Sequence, residues 1–167
     1  MRVVWPFLWI AMLVAALPSV VGAHALNQSY VYFQVQEEGL TGRFEVTLKD
    51  LGKVIELDAN GDGDVSVEEF EARSAEVFEL LSEALTLRQD GRELAISLTE
   101  VDSFGAGRLL NRSVFAQLSF DIEGLQGLPD SIDMGYVFLF AGAEPNHSGY
   151  ALIEENFRTG ISENESF

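Results

Sequence analysis

The chain has 167 residues, 27 of them acidic and 10 basic, for a formal net charge of −17. Such a surface repels nucleic acid and anionic lipid, so nucleic-acid binding is excluded and cations or basic partners are favoured. Cysteine is absent, so the fold has no disulfide available and must rest on its apolar core, with any bound metal as an addition.

Arg2 is followed by an uncharged run from Val3 to Val21 and then by Gly22, Ala23, His24 and Ala25. Val21-Gly22-Ala23 fits a small-residue cleavage site, which makes 1–23 a signal peptide and His24 the first mature residue. Ala23-His24-Ala25 is a second candidate site, with Leu26 then first. The protein is therefore expected to be exported, to a periplasm or the extracellular space. The alternative is a membrane-anchored protein, because the same apolar run is just long enough to span a bilayer. Pro18 and the small residues after it favour cleavage.

Residues 24–160 read as a single β-rich domain with an EF-hand-like insertion at 49–85, and 161–167 as a flexible tail. Ser29 to Gln36 alternates with Val31, Phe33 and Val35 on one face. Leu40 to Leu48 alternates again, with Phe44, Val46 and Leu48 together. The Glu37-Glu38-Gly39 turn between them predicts a β-hairpin. Lys49 to Leu57 has Leu51, Val54 and Ile55 at helical spacing, but Gly52 limits it to a short entering helix.

Asp58 to Glu69, DANGDGDVSVEE, fits the calcium-loop pattern D-x-[DN]-x-[DN]-G-x₅-E at every position. Calcium takes six to eight oxygens at about 2.3–2.6 Å, so alternate residues of a tight loop must turn inward. Asp58, Asn60 and Asp62 supply side-chain oxygens, and Gly63 provides the sharp turn. Asp64 offers its backbone carbonyl, Ser66 acts directly or through a water, and Glu69 closes the shell with both carboxylate oxygens. Calcium is favoured over magnesium because the smaller octahedral shell tolerates that bidentate ligand poorly. Val65 is the apolar residue that anchors the loop to a core. Glu68 to Leu85 then reads as a long helix, with Phe70, Val77, Phe78, Leu81, Ala84 and Leu85 along one stripe.

Beyond the helix the chain returns to strands. Leu85 to Arg88 and Leu94 to Leu98 flank Gln89-Asp90-Gly91-Arg92, a hairpin signal. Phe104 to Asn111 reads as a loop or weak edge strand, and Val114 to Ile122 as the cleanest alternation. Met134 to Phe140 is apolar on both faces and is expected at the centre of a sheet. Tyr150 to Ile153 is expected as a short last strand. The expected fold is α+β, an antiparallel β-sheet or sandwich carrying one inserted EF-hand-like loop and a long helix. With a single copy of the motif, the sheet takes the supporting role of a second EF-hand.

The chain has two histidines, His24 and His147. A terminal His24 would offer an amine and an imidazole suited to copper or nickel, with His147 as a further ligand. The simpler expectation is a solvated terminus and a loop histidine. No nucleophile elbow, zinc-protease helix motif or cysteine nucleophile is present, so no catalytic role is expected.

The signal peptide, the start His24-Ala25-Leu26, the early strands and the phrase TLKDLGKVIELDANGDGDVSVEEF together resemble the exported N-terminal domain of HupE/UreJ-like bacterial membrane proteins. The residues that carry the likeness are Leu48, Asp50, Leu51, Leu57, Asp58, Asn60, Asp62, Gly63, Val65 and Ser66. Asp90-Gly91 and His147-Ser148-Gly149 are also similar. The resemblance implies a calcium-binding exported domain, with a membrane protein or a C-terminal membrane region as partner, and nickel or cobalt handling nearby. The sequence ends at Phe167 without such a region, so the transport role is not carried over. The expected function is calcium binding with a structural ion. The alternatives are a calcium-dependent protein-interaction module and an accessory domain for nickel or copper handling next to a transporter.

Overall fold

The opening hairpin forms where the alternation places it and sets the frame of the molecule. A computed structural model of the chain describes residues 27–102, 109–110, 115–139 and 146–160. In it β1 (Gln28–Val35) pairs antiparallel with β2 (Leu40–Thr47), from Ser29 opposite Val46 to Val35 opposite Leu40. The expected signal peptide at 1–23, His24 and the expected tail at 161–167 lie outside the described residues. Among the described residues no helix is long and apolar enough to cross a membrane.

A four-residue helix α1 (Leu48–Leu51) follows, capped by the Thr47 hydroxyl on the Asp50 N–H, and it ends at Gly52. The helical stripe expected through Leu57 therefore does not hold. Leu51 and Ile55 are buried, but Val54 turns outward. Strand β3 (Val65–Ser66) leads into the 18-residue helix α2 (Val67–Ala84), which passes directly into β4 (Leu85–Gln89). β5 (Arg92–Asp102), β6 (Leu109–Leu110), β7 (Phe115–Glu123), β8 (Asp133–Tyr136) and β9 (Ser148–Asn156) complete the described elements.

Seven strands form one curled, nearly barrel-shaped sheet in the order β8-β4-β5-β7-β2-β1-β9. β3 and β6 make a separate two-stranded ribbon. Helix α2 lies on the concave side, where Phe78 meets Phe44 and Phe120 at ring separations of 6.2 and 6.5 Å. Val31, Phe44, Val46, Phe70, Val77, Leu81, Leu118 and Phe120 are all fully buried, and together they form the heart of the core. Gly42 is opposite Phe120, whose ring lies directly over the glycine Cα in space that a Cβ would occupy.

Three expectations are corrected. The sheet is not purely antiparallel, because β9 runs parallel to β1 from Gln28 opposite Ser148 to Val35 opposite Asn156. β9 is a nine-residue strand, not a short one. The apolar stretch from Met134 is not central either: β8 stops at Tyr136 and forms an edge of the sheet, with Met134 and Val137 exposed. Met134 and Val137 are left uncovered at this edge, whereas Phe138 and Leu139, just past the strand, are buried in the core.

Candidate metal loop and a buried polar cluster

The loop at 58–69 is shaped by its own side chains. Asp58 is its hub: Oδ1 accepts the N–H groups of Gly61 and Asp62 at 2.7 and 3.2 Å, and Oδ2 accepts that of Gly63 at 2.8 Å. Asn60 accepts from Asp62 N at 2.8 Å, and Asp62 from Asp64 N at 3.0 Å. Short acidic and amide side chains bond the backbone two residues ahead in this way, which is why they occupy alternate positions of a tight loop. Gly61 and Gly63 take φ of 74° and 96°, a region that side-chain-bearing residues rarely enter.

Glu69 sits in the first turn of α2 and reaches back across the loop. Its Oε2 accepts from Ser66 N at 2.9 Å and Ser66 Oγ at 2.8 Å, and its Oε1 accepts from Asn60 N at 3.1 Å. Ser66 Oγ in turn accepts from Glu69 N at 3.2 Å, so the pair forms a reciprocal capping box. The N–H of Ser66, then its hydroxyl, hold the Glu69 carboxyl below its ordinary 4.5. Behind the loop, Val65 is buried, and β3 pairs with β6 through Val65–Leu110 and Ser66–Leu109. That ribbon supplies the backbone partner which a second loop would otherwise provide.

The donor set consists of oxygens from Asp58, Asn60, Asp62, Asp64, Ser66 and Glu69, which suits a hard cation. The Glu69–Asn60 bond brings the last ligand position against the third, so the ring is closed in outline. The carboxylates are turned onto N–H donors, and among the described residues no three His, Cys, Asp or Glu side chains gather as a metal cluster. Four carboxylates crowded in one loop repel one another, and those of Asp58, Asp62 and Glu69 are offset by the nearest amide hydrogens. A carboxylate has about four acceptor positions; Asp58 uses three and keeps capacity toward a cation, whereas Glu69 accepts from Ser66 N, Ser66 Oγ, Asn60 N and Ala59 N, so an ion would displace some of these donors.

A second polar constellation lies in the core, and it was not anticipated. His147, expected as a solvated loop residue, is only 5 % exposed. Its Nε2 lies 2.8 Å from Ser29 Oγ, and its Nδ1 lies 3.8 Å from Asp50 Oδ2. Tyr136 donates its hydroxyl to Ser29 Oγ at 3.1 Å. Asp50, also fully buried, accepts from Thr47 Oγ1 at 2.9 Å and from Lys53 Nζ at 2.7 Å. The Ser29 hydroxyl is thus shared between the Tyr136 hydroxyl and His147 Nε2, and the other ring nitrogen faces Asp50 beyond hydrogen-bond distance. Burial pushes the Tyr136 phenol well above its ordinary 10.0, so it serves as a donor across the working pH range.

The order Ser29–His147–Asp50 has the sequence of roles of a nucleophile, a base and its orienting acid. Ser29 is fully buried, however, and its hydroxyl is shared between Tyr136 and His147. The cluster ties β1, α1, β8 and the start of β9 together at the point where the chain enters the loop. Asp50 lay within the phrase quoted above, but the cluster joins residues as far apart as Ser29 and His147, 118 positions in sequence, and no local pattern marks such a meeting. His24 falls outside the described residues, so its pairing with His147 is not described. Compared with known proteins, the chain matches no family model, no curated protein and no solved structure.

Proposed function

We propose that this protein is an exported calcium-binding domain in which Asp58, Asn60, Asp62, Asp64, Ser66 and Glu69 hold one structural calcium ion. The observation that carries the reading is the contact of Glu69 Oε1 with Asn60 N, which draws the ends of an all-oxygen donor set onto one ring. The state of α2 supports a structural ion over a switch. Phe70, Val77 and Leu81 are already buried, which leaves little apolar helix face for an ion to expose. Near-millimolar calcium outside a cell would largely fill a site of about 10⁻⁴–10⁻³ M affinity.

The test is thermal unfolding in calcium, in chelator, and for Asp58→Ala. At ten times the dissociation constant, calcium is expected to add about 1.4 kcal/mol. Asp58→Ala should abolish that increment. A wild-type melting temperature that ignores calcium would overturn the reading, and a calcium-induced rise in dye-accessible apolar surface would favour the interaction module.

A further inference from the structure

The curled sheet does not close. β8 and β9 are its two edges, and among the described residues no backbone hydrogen bond joins one to the other. Between them lies a cavity of about 510 Å³, walled by Phe33, Val35, Leu40, Leu87, Met134 and Ile153. Met134 is opposite buried Leu87, and Ile153 is opposite Phe33, so both side chains belong to the concave face. They are nevertheless 41 % and 46 % exposed.

The convex face shows the same exposure. Tyr150 and Leu152, opposite Tyr30 and Tyr32, are 43 % and 36 % exposed, and Val137 and Phe157 just beyond the two strands are exposed as well. Of the large apolar side chains exposed among the described residues, all but Val54 lie on or beside β8 and β9. β9 is a long edge without lysine or proline, the residues that usually blunt such an edge.

Exposure on both faces selects the occupant. A small apolar ligand in the cavity would cover the concave residues alone. A strand laid between the two edges would cover both faces and also satisfy the free N–H and C=O groups. A second copy of this chain would carry another −17. Asp133 and Glu155 belong to the two edge strands and Asp130 lines the cavity, while Arg158 is already committed to the Leu128 and Pro129 carbonyls and the Asp130 carboxylate. We propose that the gap between β8 and β9 is the docking site for an extended segment of a partner protein, alternating in apolar side chains and bearing basic residues at its ends.

The test selects displayed random short peptides on the full protein, at fixed calcium, with counter-selection on Met134→Lys/Ile153→Lys. Enriched peptides should alternate apolar with polar residues and carry Lys or Arg. They should bind the wild type at least about tenfold more tightly than the double variant. They should also slow amide exchange in 133–136 and 148–156. Both substitutions are at part-exposed positions, and circular dichroism checks the fold. Tyr150→Lys, on the convex face, gives the same comparison should the double variant be misfolded. No enrichment, equal binding to a folded variant, or protection elsewhere would each overturn the proposal. So would a concentration-dependent dimer that protects both edges without peptide, or dodecanoate protecting them with no peptide enriched.

Discussion

The loop at 58–69 and the cluster around His147 are both polar devices, built on opposite plans. In the loop, every described side-chain bond joins residues no more than ten positions apart, and its turns face solvent around a half-buried Asp58. In the cluster, Tyr136–Ser29 and Ser29–His147 join residues 107 and 118 positions apart, and Ser29, Asp50 and His147 are buried. A solvated hydrogen bond replaces one to water and adds little net stability, whereas a buried group deprived of its partner costs its full desolvation. The loop should therefore specify a shape for an ion, and the cluster should hold the fold.

The largest expected effect follows at Asp50. Replacing it with alanine removes the carboxylate that holds the Lys53 ammonium, accepts the Thr47 hydroxyl and faces His147, and leaves Lys53 with Asn27 Oδ1 while the cap from Thr47 to the backbone of residue 50 persists. Breaking a buried charged pair in this way should cost about 3–5 kcal/mol, read from urea unfolding. A loss below about 1 kcal/mol would break the contrast between the two regions.

Next comes Ser29→Ala, which leaves the Tyr136 hydroxyl and His147 Nε2 without their shared partner and should cost about 1–3 kcal/mol. Tyr136→Phe should cost less, about 1 kcal/mol, because it removes a donor and leaves the Ser29–His147 contact in place. The tyrosine also carries a pH signature. Its folded pKa is raised above 10.0, so its contribution is whole below that value and falls as pH rises beyond it. Above pH 10 the wild type should lose stability more steeply than Tyr136→Phe, as seen in melts against pH.

The same contrast explains what the sequence disclosed. The shape of the loop was legible because its candidate ligands and its capping Ser66–Glu69 pair are bonded to near neighbours, so spacing encodes the contacts. The hairpin of β1 and β2 and the strand β7 were legible for the same reason, with alternate residues from Val31 to Val46 and from Ala116 to Ile122 facing the core. The cluster was illegible because Ser29, Asp50, Tyr136 and His147 meet only through the sheet order, which places β9 beside β1 in parallel. β8 misled for a related reason: Met134 and Val137 are apolar on an open edge, and a run of apolar residues does not state what covers it.

The smallest effect, and the one that tests the loop on its own terms, is the acid dependence of Glu69. Its carboxyl is held below 4.5 by the Ser66 N–H and hydroxyl, with the Asn60 N–H adding to them. A depressed carboxyl pKa gives a contribution that is complete above the unfolded value and is lost as pH falls through the lower folded value. In chelator, the difference in melting temperature between wild type and Glu69→Gln should be small and flat from pH 7 to pH 5, and should close as pH drops below about 4.5. In calcium the difference should be larger, because the same two oxygens are proposed to face the ion, and protons should displace calcium in that acidic range. A difference that changes between pH 7 and pH 5 would assign the loop's behaviour to a group other than Glu69. If calcium raised both proteins equally, Glu69 would be left as a helix cap alone.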